Sequence, residues 1–267
     1  MQRLRMRTGG AITLVVALAM GLLLSGSAPG GAATGGDKSG VVPQSTGCTK
    51  TFTNAGPPAL TVCVSSHGNI NQIQYSPFGS AVNHINSEGY CLLDLNTFVA
   101  YHDTGLVEGG WGVATQSSTA TTVTTTRTTT DGIYTLTQNV FFKYGSRMVL
   151  VGNLLKNNDT VTHNVAFDRA FDGDINGTAS GDIYDVAGGS VFGQETDGLA
   201  STFLANPSLV ANIGVSTFGN WSASRSTCSH TFEATPTAPG DYVGIVQGAF
   251  PIAAGATVNF RTGYRVL

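Results

Sequence analysis

The chain has 267 residues, of which 11% are charged, and its 13 Lys and Arg against 16 Asp and Glu give a formal net charge of −3. Binding to nucleic acid requires clustered Lys and Arg that displace counterions from phosphate. The sequence has no such tract, so we exclude nucleic acid as an expected partner. The length is sufficient for a sizeable core, and all-β domains of this size are often single.

The first 33 residues are typical of a secretory signal peptide. Arg3, Arg5 and Arg7 precede the run AITLVVALAMGLLL, which has 14 residues and is followed by small residues. A helix that spans a bilayer needs about 20 apolar residues, so this run is too short for a membrane anchor. The sequence therefore predicts a secreted, extracellular protein that has no membrane association after signal cleavage.

Signal cleavage fits two positions, after Ala28 and after Ala33, and we prefer the second because Pro29 would follow the first. Ser27 stands where a lipoprotein would carry its lipidated cysteine, so we expect release and not lipid anchoring. The loss of three arginines takes the formal net charge from −3 to −6. We then expect a flexible lead-in at residues 34–45 and a single domain over residues 46–267.

Apolar and polar residues alternate through most of this domain, and a period of two predicts strands with one buried face. In the last segment, the even-numbered residues from Val258 to Val266 are expected to point into the core. MVLVGNLL, residues 148–155, is apolar on both faces and is expected deep inside the protein. Asp-Gly at residues 131–132 predicts a hairpin, within four consecutive antiparallel strands from about Thr121 to Phe171. The predicted fold is an all-β, antiparallel β-sandwich.

Cys48, Cys63, Cys91 and Cys228 remain after signal cleavage, and an even number in a secreted chain favours disulfides. The sequence has no C-x-x-C motif and no histidine that we place at zinc-finger spacing from a cysteine pair, so we do not expect a metal role. Three pairings are possible. We favour Cys48 with Cys63, which closes a short loop, and Cys91 with Cys228.

The sequence carries few signs of catalysis, since it lacks the G-x-S-x-G, H-E-x-x-H and G-x-x-x-x-G-K motifs. His84 and Glu88 lie four residues apart, and His102 stands beside Asp103, so these are weak candidates for acid, base or ligand roles in one cleft. Adjacent strand residues face opposite sides, which argues against a shared role for His102 and Asp103. The alternative is that all four are loop and edge residues without a catalytic role.

Trp111 and Trp221 lie in Gly- and Ser-rich surroundings and are the candidate ligand-binding residues. An exposed tryptophan at such a place can stack on a sugar ring. The alternative is that each tryptophan is folded into the edge of the sandwich.

An acidic segment, AFDRAFDGDINGTASGDIYD at residues 166–185, holds five aspartates in a chain with little charge. Its D-x-D-x-N-G pattern places alternate oxygens around one centre, as in the first half of a calcium loop. The expected ligands of one structural calcium ion are Asp172, Asp174, Asn176 and the Thr178 carbonyl, with Asp182 or Asp185 completing the shell. Ile183 stands where an EF-hand carries glutamate, so the loop is not an EF-hand. The alternative is an aspartate-rich turn whose side chains cap the backbone.

Several stretches, among them SSHGNINQIQYSPFG, SEGYCLLD, FDGDIN and APGDYVGIVQ, resemble a group of secreted bacterial β-sandwich proteins that is uncharacterised in activity. The resemblance covers most of the domain, and FDGDIN is its most specific part. It implies secretion and a β-sandwich, and it supplies no catalytic residues. The strand-only layout is also similar to the extended sandwiches of mutarotase-like and polysaccharide-lyase proteins, a likeness of fold that implies no chemistry.

Two functions are consistent with these features. The first is a non-catalytic extracellular module that binds a carbohydrate or a cell-surface partner. The second is a carbohydrate-active enzyme, mutarotase- or lyase-like, that uses His84, Glu88, His102 or Asp103. Convergence of these four side chains with a tryptophan on one concave face would favour the enzyme. The oligomeric state and the ligand are left open by the sequence.

Calcium should raise the melting temperature of the protein, and a chelator should lower it. Extracellular calcium modules bind with dissociation constants on the order of 10⁻⁴ M, so a tenfold excess stabilises the fold by about 1.4 kcal/mol. Asp174→Ala should abolish the difference, because it removes one ligand. Identical melting curves in calcium and in chelator, for wild type and variant alike, would show that the segment is a solvated turn and not a calcium loop.

Overall fold

The computed structural model describes residues 47–54, 59–75, 82–178, 181–187, 190–195, 201–204, 212–232, 236 and 238–266. They belong to one compact unit, Gly35–Leu267. The predicted signal peptide, its cleavage point and the predicted lead-in lie outside the described residues. Within the described ranges, no helix is long and apolar enough to cross a membrane.

The described residues form 18 strands, a short helix α1 (Phe218–Ser224) and a 3₁₀ turn (Ile175–Gly177). The strands are β1 (Lys50–Asn54), β2 (Leu60–Val64), β3 (Ile70–Tyr75), β4 (Val82–Asn83), β5 (Ser87–Asp94), β6 (Ala100–Asp103), β7 (Glu108–Gly109), β8 (Thr115–Ser118), β9 (Thr122–Thr128), β10 (Tyr134–Phe142), β11 (Met148–Asn157), β12 (His163–Asp172), β13 (Asp182–Ala187), β14 (Ser190–Glu195), β15 (Ser201–Leu204), β16 (Asn212–Thr217), β17 (Tyr242–Ile252) and β18 (Thr257–Val266).

These strands build three antiparallel sheets. The N-terminal sheet has the order β1-β2-β3-β4, the large sheet β13-β14-β15-β18-β11-β10-β9-β8, and the six-stranded sheet β16-β17-β12-β5-β6-β7. The large and six-stranded sheets pack face to face, with the rings of Phe167 and Phe260 in edge contact at 5.3 Å. The N-terminal sheet joins the same core through Phe52, which stacks on Phe142 at 5.3 Å. The predicted antiparallel β-sandwich is confirmed.

The alternation in the sequence locates most strands and faces correctly. In β18, Phe260, Tyr264 and Val266 are buried, whereas Arg261 and Arg265 are exposed. The predicted hairpin joins β9 to β10, and its turn residue Gly132 has the positive φ of 80° that glycine adopts readily. The prediction is therefore correct where one face of a strand meets the core and the other meets solvent.

The predicted run of four sequential strands is wrong at its last connection. β9, β10 and β11 pair in order in the large sheet, but β12 crosses to the six-stranded sheet and pairs with β5 and β17. The expected placement of MVLVGNLL is also wrong, because Val149 and Val151 are buried while Leu150 is 43% exposed. The strands β5 and β12 are instead buried on both faces. The outer face of β12 is covered by α1 and the residues after it, 218–232, which we call the covering segment.

Both expected disulfides are present. Cys48 is bonded to Cys63, and Cys91 of β5 is bonded to Cys228 after α1, so no described cysteine is free. The second bridge spans 137 residues of sequence and ties the covering segment to the six-stranded sheet.

A buried polar network crosses the core between the two large layers. Arg169 of β12 forms an ion pair with Glu88 of β5, with its Nε 2.7 Å from Glu88 Oε1. Three residues of the large sheet join this pair. Tyr264 donates to Glu88 Oε1 at 2.6 Å, and Gln138 and Asn153 accept hydrogen bonds from the Arg169 guanidinium. Arg169 and Glu88 are fully buried, so each depends on the other for charge compensation. We call these five residues the core polar network.

Replacing Glu88 by Gln should destabilise the protein by about 3–5 kcal/mol, because it leaves the buried Arg169 guanidinium without a counter-charge. Urea unfolding measures the loss. Arg261→Gln, an exposed change on β18, is the matched control and should stay within about 0.5 kcal/mol of wild type. Equal stability of the two variants would contradict the assigned role of the network.

Candidate functional site

The four sequence candidates for catalysis do not converge. His84 is fully buried, and its Nε2 lies 2.7 Å from the carbonyl oxygen of Tyr75. Burial lowers the pKa of His84, and the hydrogen bond to that carbonyl offsets part of the effect. Glu88 belongs to the core polar network and faces no cavity. Neither residue is placed to act on a ligand.

His102 and Asp103 are separated by the strand that carries both. His102 lies on the outer face of β6, where its ring packs against Gly109 so closely that a Cβ there would be 2.6 Å from Cε1. Burial lowers the pKa of His102. Asp103 points to the other side and is 2% exposed. The expectation that the two residues face opposite sides is confirmed by this geometry.

Asp103 is the centre of a polar cluster that the sequence did not reveal. Its Oδ2 lies 2.9 Å from His67 Nδ1 and 2.7 Å from Arg127 Nη1, and its Oδ1 accepts from Asn69 Nδ2 at 2.7 Å. Glu108 completes the arrangement, pairing with Arg127 Nη2 and lying 3.4 Å from His67 Nδ1. We call His67, Asp103, Glu108 and Arg127 the cleft cluster.

One turn and three strands, β6, β7 and β9, supply these four side chains. His67 lies in the tight turn between β2 and β3, which is closed by a hydrogen bond from Ser65 N to the carbonyl of Asn69. Gly68 of this turn has a φ of 86°, and a Cβ there would lie 2.9 Å from Gln138 Nε2, so both backbone and space require glycine. Arg127 comes from β9 of the large sheet and reaches across to the end of β6.

The cleft cluster borders an open cavity of about 360 Å³. The lining residues are Ser66, His67, Glu108, Trp111, Gly112, Val113, Ala114 and Arg127. His67 and Glu108 are each 24% exposed, whereas Asp103 and Arg127 are 2% exposed. Arg127 therefore lines the cavity with little exposed surface and Asp103 lies behind the lining, whereas the His67 ring and the Glu108 carboxylate are accessible from the cavity.

The electrostatics of the cleft cluster favour the protonated form of His67. The hydrogen bond that His67 donates to Asp103 raises the pKa of His67 above its usual value, and burial opposes this to a smaller extent. Because a carboxylate accepts hydrogen bonds, Nδ1 carries the proton and Nε2 is the acceptor of the neutral ring. A buried aspartate that orients a histidine in this way is a known means of positioning a general base.

The same side chains could in principle hold a metal, because ligand atoms of His67, Asp103 and Glu108 all lie within 4.8 Å of one another. However, Arg127 already pairs with both carboxylates. Its guanidinium occupies the place of a cation and would repel one. We therefore interpret the cleft cluster as an acid–base or binding site and not as a metal centre.

The acidic segment surrounds the 3₁₀ turn at Ile175–Gly177. Asp174 precedes the turn, and Asp172 is buried and accepts from Asn86 Nδ2 at 2.9 Å. The carbonyl of the buried Asp182 accepts from Gly240 N at 3.0 Å. The two groups of three or more closely spaced metal-ligating side chains among the described residues lie elsewhere.

The remaining members of the expected calcium shell lie at the ends of this segment. Thr178 is exposed at the C-terminal end of the turn. Asp185 is exposed, and its Oδ1 accepts from Val186 N at 2.8 Å. The side chain of Asn176 lies outside the described part of the structure. The calcium loop stays a prediction.

Both tryptophans are folded inward. Trp111 is 6% exposed and packs edge-on against Tyr90 at 5.5 Å, with part of its surface on the cavity beside the cleft cluster. Trp221 is 1% exposed and is the buried residue of α1, where it packs against the outer face of the six-stranded sheet. Trp111 alone of the two is placed beside the cavity.

The pKa of His67 should lie above 6.5 in the folded protein, and Asp103→Asn should lower it because the main cause of the shift is the hydrogen bond to Asp103. The stabilisation from the charged pair is full below the unfolded pKa and is lost as pH rises through the folded pKa. NMR titration of the histidine ring protons measures this. His84 and His102, whose pKa values are lowered, serve as internal controls. A His67 pKa unchanged by Asp103→Asn would contradict the assignment.

Solved structures with similar folds share little sequence with this chain. A bacterial glucoamylase complexed with acarbose aligns over 84% of this chain and 33% of its own, with 9% identity and a TM-score of 0.59, so this chain spans about a third of that protein. A putative aldose 1-epimerase from Escherichia coli K12 aligns over 82% of this chain and 99% of its own, with 8% identity and a TM-score of 0.51.

A galactose mutarotase-like protein from Lactobacillus casei ATCC 334 aligns over 82% of this chain and 100% of its own, with 8% identity, but its TM-score of 0.45 is too low to support an argument. No protein-family model and no curated protein matches the sequence. At these identities the likeness concerns the fold alone. The chain has an antiparallel β-sandwich similar in fold to that of the putative aldose 1-epimerase, which agrees with the fold predicted from the sequence.

Proposed function

We propose that this protein is an extracellular carbohydrate-binding protein whose ligand occupies the cavity beside the cleft cluster. The observation that carries the proposal is the convergence of His67, Glu108 and Arg127 from three separate elements next to Trp111. The fold supports it, since similar sandwiches occur in a glucoamylase complexed with acarbose and in a putative aldose 1-epimerase. The two disulfides fit an oxidising, extracellular compartment.

The composition of the cavity suits a sugar. Sugar rings combine hydroxyl groups with apolar C–H faces, so their sites combine a few fixed polar groups with apolar or aromatic surface. Here Glu108 and His67 offer an acceptor and an imidazole, both held by buried partners. Val113, which is 92% exposed, and the accessible part of Trp111 supply the apolar surface. Because the polar groups are fixed before binding, little conformational entropy is lost when a ligand enters.

One observation favours acid–base catalysis as a second candidate function. Asp103 orients His67 so that Nε2 is the available acceptor, and the partly exposed Glu108 carboxylate lies beside the same ring. Two titratable groups of different surroundings at one cavity can act as base and acid. A sugar held there with a hydroxyl near Nε2 could be deprotonated. Of the four candidates named from the sequence, this mechanism uses only Asp103, as a positioning residue.

The calcium loop and secretion complete the proposal. A bound calcium ion would rigidify the turn that follows β12, at a distance in sequence from the cleft cluster, so it has a structural role only. The resemblance to secreted bacterial β-sandwich proteins supports export but adds nothing on chemistry.

A glycan array followed by titration calorimetry should identify a carbohydrate ligand, and Glu108→Gln should weaken its binding about tenfold or more. The reason is that hydrogen bonds to a charged group contribute about 1.5–3 kcal/mol. Lys156→Gln, an exposed change on the outer face of β11, is the matched control and should bind normally. Absence of any glycan ligand, or equal binding by both variants, would contradict the proposal.

The same ligands should be assayed for turnover to distinguish binding from catalysis. An enzyme that uses His67 as base should lose most of kcat in His67→Ala while it still binds the sugar. If bound sugars are recovered unchanged over the whole pH range, the second candidate function is wrong and the binding function stands.

A further inference from the structure

The outer face of the six-stranded sheet holds a second buried cluster that the proposed function does not use. Asp168 of β12 lies directly across from Cys91 of β5 in the strand register. It is 1% exposed, and neither of its carboxylate oxygens has a hydrogen-bond partner among the described residues. A buried carboxylate in this state needs an explanation, because removing it from water without partners is costly.

His230 faces this carboxylate from the covering segment. Its side chain is completely buried, and its Nε2 lies 3.4 Å from Asp168 Oδ2, an ion-pair distance at which the geometry of a hydrogen bond is not met. The other ring nitrogen, Nδ1, lies 3.1 Å from Ser224 Oγ. When Nδ1 donates to that hydroxyl, Nε2 is the ring nitrogen that faces Asp168, and loss of its proton would leave it free to bind a metal.

The two cysteines of the long disulfide lie at the same place. Cys91 Sγ, a carboxylate oxygen of Asp168 and a ring nitrogen of His230 are all within 4.8 Å of one another. Cys228 Sγ is bonded to Cys91 Sγ, so it is a neighbour of the same centre. Cys228 and His230 are two residues apart on one turn, while Asp168 and Cys91 come from paired strands.

We propose that Cys91, Cys228, Asp168 and His230 form a zinc site when the Cys91–Cys228 disulfide is reduced. Two thiolates, one imidazole and one carboxylate are a ligand set that suits zinc, which binds four ligands tetrahedrally. At Zn–S and Zn–N distances of about 2.0–2.3 Å, tetrahedral ligand atoms lie about 3.3–3.8 Å apart. The 3.4 Å between His230 Nε2 and Asp168 Oδ2 lies in this range, and ligand atoms of Cys91, Asp168 and His230 lie within 4.8 Å of one another. Rotation of the two cysteine side chains would separate their sulfurs.

The two states exchange by a balanced reaction. A dithiol reductant gives two electrons and two protons to the disulfide, is itself oxidised to a disulfide, and leaves Cys91 and Cys228 as thiols. Zinc then binds as both thiols lose their protons to solvent. In the reverse direction, a low-molecular-weight disulfide accepts two electrons and two protons and leaves as two thiols, the cysteines re-form their S–S bond, and zinc is released.

The consequence is that the covering segment stays attached to the six-stranded sheet in either redox state. In the oxidised protein the disulfide is the cross-link, and in the reduced protein zinc replaces it. Asp168 and His230, which face each other as a loose ion pair in the oxidised protein, then supply two of the zinc ligands in the reduced protein. This explains why a carboxylate and an imidazole are buried face to face beneath a disulfide.

The experiment uses the full domain with Cys48→Ala and Cys63→Ala, so that Cys91–Cys228 is its single disulfide. After phosphine reduction and removal of the reductant, one equivalent of Zn²⁺ should bind, and Co²⁺ should give thiolate-to-cobalt charge-transfer absorption. The oxidised protein should bind neither. His230→Ala and Asp168→Asn should each weaken zinc binding at least 10- to 100-fold, the loss typical even of indirect partners. His67→Ala, in the cleft cluster, is the matched control and should bind zinc normally.

Near-ultraviolet circular dichroism and thermal melting report whether the reduced protein stays folded. Zinc should raise its melting temperature towards that of the oxidised protein. The proposal is overturned by equal zinc binding in both redox states, by affinity that does not change in His230→Ala and Asp168→Asn, or by a reduced protein that unfolds and is not restored by zinc.

Discussion

The ion pair between Arg169 and Glu88 is the constraint on which the rest of the structure depends. Both side chains are fully buried between the two large layers, so neither charge can be removed without leaving the other uncompensated. Burial alone would lower the pKa of Arg169, but attraction to Glu88 raises it, so the guanidinium stays charged. Its hydrogen bonds to the large sheet then fix how the two sheets are aligned.

The core polar network also holds the turn that carries His67. Glu88 Oε2 accepts from the backbone N of Ile70 at 2.7 Å, and Gln138 donates to the carbonyl of His67 at 3.0 Å. The middle of this turn and the residue that follows it are therefore attached to the core polar network. The cleft cluster is thus built on a rigid base, which is what precise positioning of a base or a ligand requires. Mutations in the network should affect the cleft as well as stability.

The two faces of the six-stranded sheet serve different purposes. The inner face contributes Arg169 and Glu88 to the core, whereas the outer face carries Asp168 and Cys91 beneath the covering segment. β12 supplies residues to both, and this accounts for its burial on both sides. The proposed zinc site and the proposed sugar site lie on different surfaces, so each can be tested without disturbing the other.

Alternating hydrophobicity determined the strands, the hairpin at residues 131–132 and the all-β class, because a period of two reports directly that one face is buried. The even number of cysteines likewise indicated two disulfides. Only the tertiary structure decided that β12 leaves the large sheet, since crossing between sheets depends on long-range packing. It also brought His67 to Asp103 and His230 to Asp168, pairs that are 36 and 62 residues apart in the sequence. Local sequence patterns carry no information about such long-range contacts, because the partner of a side chain is set by strand register and by how the sheets face each other.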